Sequence, residues 1–386
     1  MRLQLTRPLL VLVPLAVATS ARADGDWRLA LDALVYDDTD NVTTFSPRLS
    51  LRRHLDADGS SIGAYTLLDV VSAASVDVVS QATPGFLEAR TEAGVDASAA
   101  FEGDHLASVS YRFSIEPDYM SHGGRISLRS RLGTPDSVLS VAYGLTGDVV
   151  GRSGTPWSSF SPNLFTHAAE ISLTQTLGPE TVLRGVYALT LQHGYLEKPY
   201  RHVPLFDAAV LDALARNGER LTLESFDGFR LPARPPESVP DLRVGHALGV
   251  RALLSIGPIE GSVRADYQFF FDDWGMTAHA VELALTGTAT TGLRLVGYGR
   301  FYAQTAVSFW RRTYGVTDVD SVPVFRTLDR DLSSYHALTG GLRVEWEVDD
   351  VGGYLDGALT WTQYDDFLFL DERIALLGQV GVRWTP

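Results

Sequence analysis

The chain has no cysteine, which excludes a disulfide framework and any haem-attachment motif, so its sheet must hold it together. Lysine is almost missing too: Lys198 is the only one among 32 basic residues. The basic set is therefore arginine, which suits fixed bidentate pairing with carboxylates in confined places. No stretch after the N-terminal segment reaches the roughly 18–20 uninterrupted apolar residues that a membrane helix needs. There is no positive excess either. A formal net charge of −15 argues against nucleic acid as a partner and for an acidic surface. No low-complexity linker or long repeat marks a second domain.

The N-terminus has the order of a targeting segment. Arg2 and Arg7 give a positive start, Leu9 to Ala18 is a short apolar stretch, and Ala21-Arg22-Ala23 supplies small residues before a cut. Residues 1–23 are thus expected to be a signal peptide, and residues 24–386 a single exported domain.

The rest of the chain has a rhythm of alternating segments of about ten residues, the length of membrane-crossing strands. The breaks between them alternate in length. Short breaks with turn chemistry include Asp56-Ala57-Asp58-Gly59, Glu102-Gly103-Asp104, Gly133-Thr134-Pro135-Asp136, Gly178-Pro179-Glu180, Gly257-Pro258, Thr290-Thr291-Gly292 and Asp349-Asp350-Val351-Gly352. Longer breaks fall near 73–87, 148–163, 193–241 and 304–334. Short periplasmic turns and longer outer loops give this asymmetry, and a soluble sandwich has no reason for it. The expected fold is all-β: a transmembrane antiparallel β-barrel of about sixteen strands, with a long outer loop at about 193–241.

Within segments the period is two. Arg125, Ser127, Arg129 and Arg131 oppose Ile126, Leu128 and Leu132; Arg264, Asp266 and Gln268 oppose Val263, Ala265, Tyr267 and Phe269. In the last segment Arg373, Gln379 and Arg383 oppose Ile374, Leu376, Val380 and Val382. In a membrane barrel the apolar face meets lipid and the polar face lines the lumen. Trp27, Tyr36, Tyr65, Tyr111, Trp274, Trp310, Trp346, Trp361 and Trp384 are expected near strand ends, in interfacial girdles. In the long loop, Phe206, Val210, Leu211 and Leu214 recur at helical spacing before Asn217-Gly218. That short helix fits either a constriction at the barrel mouth or an ordinary exposed loop.

Several local runs carry a resemblance. Tyr195-Leu196-Glu197-Lys198-Pro199-Tyr200-Arg201 comes first, then Asp266-Tyr267-Gln268-Phe269-Phe270. Asp273-Trp274-Gly275-Met276-Thr277-Ala278-His279 and Glu282 come next, then Arg300-Phe301-Tyr302-Ala303-Gln304 with Ala306 and Phe309. Upstream stands Asp69-Val70-Val71-Ser72-Ala73-Ala74-Ser75. With these the chain resembles a proteobacterial outer-membrane β-barrel family of unknown function, the domain of unknown function three-five-seven-zero. Asp273 and Met276 stand where the family pattern often has threonine and isoleucine. The resemblance covers most of the exported chain and implies an outer-membrane barrel. It implies no substrate and no catalytic residue.

The inward register collects Asp32, Arg90, Glu92, Asp96, Arg112, Arg129, Glu170, Arg184, Arg251, Arg264, Asp266, Glu282, Arg300, Arg343, Glu345 and Asp356. A salt-bridge lattice that fills a closed barrel and a charged pore lining both call for these residues. Glu282 and Arg300 are expected on adjacent strands, both facing inward. The acids of the outer breaks, such as Asp37, Asp272 and Asp318, fit solvated loops, and no calcium-loop pattern is present. His193 and His202 flank the Tyr195–Arg201 run but lack metal-ligand spacing. No nucleophile elbow or paired catalytic motif appears. The chain is therefore expected to be no enzyme and to bind neither cofactor nor metal.

The function these features favour is a pore or uptake channel for small polar or ionic solutes. The alternative is a structural or partner-binding barrel that serves a redox or assembly system. The expected surroundings are outer-membrane lipid and lipopolysaccharide, with the barrel-assembly machinery and a small polar solute as partners. A homo-oligomer is compatible with a barrel of this size.

Overall fold

The computed structural model describes residues 27–73, 86–134, 136–257 and 260–386. The segment assigned to the signal peptide, most of the 73–87 break, Pro135 and Pro258 lie outside the described residues. The strands are β1 (Trp27–Asp38), β2 (Val42–His54), β3 (Ser61–Ala73), β4 (Phe86–Phe101), β5 (His105–Glu116), β6 (Tyr119–Arg131), β7 (Ser137–Val150), β8 (Asn163–Gly178) and β9 (Thr181–Gly194). The long connection after β9 holds β10 (Leu205–Asp207) and the helices α1 (Ala208–Arg216) and α2 (Leu223–Phe229). Then come β11 (Leu242–Ile256), β12 (Gly261–Asp272), β13 (Thr277–Thr290), β14 (Leu293–Gln304), β15 (Tyr314–Val316), β16 (Tyr335–Val348), β17 (Val351–Tyr364) and β18 (Glu372–Trp384).

All but β10 and β15 form one closed antiparallel barrel of 16 strands, in which β1 pairs with both β2 and β18. Alternation in the sequence places the charged set inside. Leu248, Val250, Leu283 and Leu285 stay 46–57% exposed on the outer wall, where lipid would cover them. At one end the turns are tight. Asp56 Oδ1 accepts from the backbone N–H groups of Asp58, Gly59 and Ser60 at 2.8–3.0 Å. Asp104, Glu260 and Asp349 supply left-handed residues without glycine there, as Asn41 does at the other end.

Not every aromatic expected at the interfaces is there. Trp27, Trp346 and Trp384 do project outward at the short-turn end, and Trp361 does so at the long-loop end. Tyr36 and Tyr65 instead point into the lumen, where they donate to Asp38 and Glu92 at 2.7 Å. Strand parity decides this, and a count of aromatics near strand ends does not include it. Trp274 and Trp310 are buried in the loops, 5% and 8% exposed.

Those loops make a second core, a cap beyond the barrel rim. The β9–β11 and β14–β16 connections, the β12–β13 turn and the β17–β18 loop bury Val203, Phe206, Trp274, Val307, Tyr314 and Phe367 together. Strands β10 and β15 pair in parallel inside it. Asp207 caps α1 by accepting from Ala209 N at 2.8 Å, and Asn217 and Gly218, with Gly218 at φ 71°, end it. The helical spacing in the sequence is this helix; Leu211 and Leu214 pack on the cap core.

Three lumen tyrosines lie flat across a glycine on the neighbouring strand. Tyr65 faces Gly94, Tyr298 faces Gly341 and Tyr354 faces Gly381 in register. A Cβ added at any of these glycines would collide with the ring. Tyr298 thereby reaches over Gly341 to Asp356 at 2.9 Å, and Tyr354 over Gly381 to Asp32 at 3.0 Å, each two strands away. Gly341→Leu should displace the Tyr298 ring and cost about 1–3 kcal/mol, lowering the temperature at which the folded band disappears on a gel. Gly340→Ala, whose added Cβ meets nothing within 4 Å, should leave that temperature unchanged. Equal behaviour of the two variants would show that the ring does not need the glycine.

Candidate functional site

The lumen wall is lined by ion pairs, most of them between strands one or two apart. Around β2 to β6, Arg52 meets Asp96 at 2.9 Å, Arg90 meets Asp69 at 2.5 Å and Arg112 meets Glu92 at 3.4 Å. Next, Arg125 and Arg184 share the carboxylate of Glu170, each at 3.4 Å. On β11 to β13, Arg251 and Arg264 share Asp266, and Arg264 also pairs with Glu282. Then Arg294 approaches Glu345 at 3.5 Å, and Arg343 bonds Asp356 at 2.7 Å. Most of these arginine side chains remain 35–59% exposed. Pairs so open to water contribute about 0–1 kcal/mol each, so they orient charge more than they stabilise the barrel.

All of the lumen candidates Arg90, Glu92, Asp96, Arg112, Arg129, Glu170, Arg184, Arg251, Arg264, Asp266, Glu282, Arg300, Arg343 and Glu345 lie on inward register positions. Glu282 and Arg300 are direct register partners. Their side chains do not pair: Glu282 bonds Arg264, while Arg300 sits 5.8 Å from the Tyr302 ring centroid. Among the described residues, Arg48, Arg129 and Arg300 have no carboxylate partner, and Arg48 lies over the Tyr65 ring at 4.4 Å. A recess of about 370 Å³ opens between Arg264, Glu282, Arg294, Tyr298, Arg343 and Asp356. Such a wall can hold and order water, and it can distinguish solutes by charge.

Of the residues of the resemblance, Asp266, Glu282 and Arg300 lie in the lumen wall, whereas the Tyr195–Arg201 and Asp273–Gly275 runs build the cap. Pro199 occupies a turn closed by Arg201 N donating to Lys198 O at 3.1 Å. Tyr200 bonds Asp118 in the β5–β6 turn and accepts from Ser153 N in the β7–β8 loop. Tyr195 meets the Phe160 ring edge-on at 5.6 Å. Asp273 accepts from Val244 N at 2.9 Å, Gly275 takes φ 88°, and Trp274 Nε1 donates to Leu242 O at 2.8 Å. The Arg243 guanidinium covers the Trp274 ring at 4.7 Å. His279 stands apart, on the outer wall beside Tyr267. His193 also faces outward, stacked on Phe165, whereas His202 is exposed and its backbone forms an isolated bridge with Pro236 in the cap.

Arg201 ties the cap together. It pairs with Glu237 at 3.2 Å and Asp329 at 2.6 Å, with side-chain exposures of 12%, 2% and 13% respectively. Thr327 also donates to Glu237, at 2.5 Å. Farther round, Arg330 pairs with the buried Asp40 of the β1–β2 turn. Tyr200 and Asp118 are separated along the barrel by β9, β8, β7 and β6, and Arg330 and Asp40 by β16, β17, β18 and β1. The cap therefore joins turns a quarter of the circumference apart on either side. In the sequence, Glu237, Asp329, Arg330 and Asp40 look like ordinary loop charges, because their partners lie up to 290 residues away.

Burial alone would raise the Asp329 carboxyl, but the Arg201 charge and a backbone donor outweigh it and hold it below its ordinary range. Asp331 goes the other way, raised by burial and by the charge of Asp329. Removing Arg201 leaves two buried carboxylates, a change that costs about 3–5 kcal/mol at a buried pair. Arg201→Ala should thus make the 193–241 loop sensitive to protease while the barrel stays folded. A depressed carboxylate stabilises above the unfolded value of about 3.9 and loses that contribution as pH falls through its lower folded value. Without Arg201, burial raises the Asp329 carboxyl instead, so the difference between wild type and Arg201→Ala should be greatest at neutral pH and begin to shrink above pH 4 as the variant's carboxyl takes up a proton. A protease-resistant loop in the variant would remove Arg201 as the tie.

None of the curated proteins compared with the chain matches it in sequence. In structure it is similar to a bacterial polysaccharide outer membrane secretin, with 6% identity, a TM-score of 0.50, and coverage of 93% of this chain and 98% of that one. It is also similar to OprD from Pseudomonas aeruginosa, with 8% identity, a TM-score of 0.43, and coverage of 94% and 95%. Against the siderophore receptor PirA from Pseudomonas aeruginosa the values are 11% and 0.45, and it spans 62% of that longer chain. At such identities the likeness is one of fold: an outer-membrane type of β-barrel. The family model described as "Protein of unknown function (DUF3570)" matches residues 161–354, just over half of the sequence, and the chain belongs to that family.

Proposed function

We propose that the protein is a pore or uptake channel of the outer membrane, with a charged lumen that passes small polar or ionic solutes. The observation that carries this reading is the inner wall itself. A closed sheet of 16 strands encloses more space than its own side chains fill, and its inner face is lined by ion-paired arginines with Arg48, Arg129 and Arg300 left over. A wall built only to fill a barrel would gain nothing from unpaired guanidinium groups, whose charge needs water to solvate it. The cap would then limit entry from outside, and opening would require its ties at Arg201 and Arg330 to yield. Turnover is not expected from this wall, and a panel of lipase and protease substrates would test that.

A second reading is a structural or partner-binding barrel. The cap favours it, because its rim leaves Val324 and Leu223 73% and 59% exposed, as a docking surface would. Planar-bilayer recording separates the two. Discrete conductance steps support the pore, and Arg300→Ala should shift the reversal potential in a salt gradient toward cations with little loss of thermal stability. An electrically silent barrel that retains a protein partner on a column would support the second reading instead.

A further inference from the structure

The outer wall carries a repeated device that neither reading uses. Seven of the nine histidines face outward with the lipid-facing apolar residues; His105 does so at the short-turn end, and six do so at the other end: His122, His167, His193, His246, His279 and His336. Each of these six lies within five residues of the long-loop end of its strand. Four of them are fixed in the same way by a tyrosine on the adjacent strand. Tyr111 bonds His122 at 2.6 Å, Tyr143 bonds His167 at 2.7 Å, Tyr187 bonds His246 at 2.9 Å and Tyr267 bonds His279 at 2.8 Å, always at Nδ1. Aromatic rings flank them: Phe113 is 4.9 Å from His122, Phe271 is 4.7 Å from His246 and Phe269 is 4.9 Å from His279.

The shared atom sets the chemistry. Where the phenol donates to Nδ1, the imidazole proton lies on Nε2. Protonation of the ring keeps Nε2–H a donor. Among the described residues none of these four Nε2 atoms has a hydrogen-bond partner. A row of such donors left in hydrocarbon would cost several kcal/mol each. Strands of 13–16 residues exceed the 9–11 or so that cross the apolar layer, so their ends reach headgroup depth. On the outward strand positions arginine occurs only as Arg53, at the short-turn end. Histidine is therefore the ionisable nitrogen donor that the long-loop half of the wall presents to anionic headgroups.

We infer that this histidine–tyrosine band is a contact surface for phosphate-bearing headgroups of outer-leaflet lipid, with the Nε2–H groups as donors. The inference rests on the outer-membrane placement proposed above. A free phosphate ion is the poorer fit, because the donors are spread over β6, β8, β11 and β13 and cannot converge on one small anion.

The test uses the purified full-length protein in detergent, with thermal unfolding followed as lipid is added. Lipid A carrying both its phosphates should raise the unfolding temperature. The same lipid stripped of phosphate should raise it less, and inorganic phosphate should leave it unchanged. Combined His122→Gln, His167→Gln, His246→Gln and His279→Gln substitutions should abolish the difference between the two lipids. Equal effects of the two lipids on the wild type, or an equal shift with inorganic phosphate, overturn the inference, and that arm decides even if the fourfold variant fails to fold. Cell fractionation keeps the two levels apart. Recovery outside the outer membrane would remove the placement, whereas recovery within it together with indifference to lipid phosphate would remove only this inference.

Discussion

Closure of the β1–β18 ladder is the constraint on which everything else depends. In a bilayer no water is available to satisfy an open sheet edge, so the first and last strands must find each other. They do so over ten register pairs, from Leu29 with Trp384 to Asp38 with Ala375. Once that seam is set, parity is fixed for every strand. A slip of one residue anywhere would turn charged side chains into lipid and leucines into the lumen.

Inside, parity alone would leave a corrugated wall of opposite charges. The tyrosines that cross Gly94, Gly341 and Gly381 smooth it and carry hydrogen bonds to carboxylates one or two strands away. They brace the cylinder across its strands where the ion pairs are too wet to do so. The arginines are thus released from a purely structural duty, which supports a lumen whose charges act on solutes.

Outside the rim the chemistry is reversed. The cap is stabilised by an apolar core and by ion pairs far more buried than those of the lumen, with Glu237 and Asp40 at 2% and 0% side-chain exposure. Burial makes those pairs sensitive to the loss of one partner, whereas the lumen pairs can exchange partners with water. Rigid loops above a wet wall are what a restricted entrance requires.

Much of this was legible in the chain. The alternation around Arg125–Leu132 and Arg264–Phe269 determined which side chains face inward, and turn residues such as Asp56 and Gly59 marked the hairpins, because both signals are local. The helical spacing of Leu211 and Leu214 identified α1 for the same reason. The fate of Tyr65, Trp274 and Trp310 was not legible. Whether an aromatic near a strand end meets lipid, lumen or loop depends on parity and on what the neighbouring loops bury. Nor could the sequence pair Glu282 with Arg264 instead of Arg300, since both arginines lie on adjacent inward positions and side-chain reach selects between them. The sequence by itself determined the barrel, its inside and its outside, through a period of two. Only the tertiary structure decided that the Tyr195–Arg201 run and Trp274 build a cap, because their partners Asp118, Glu237, Asp329 and Leu242 are brought within reach only when the barrel closes and its loops fold over one another.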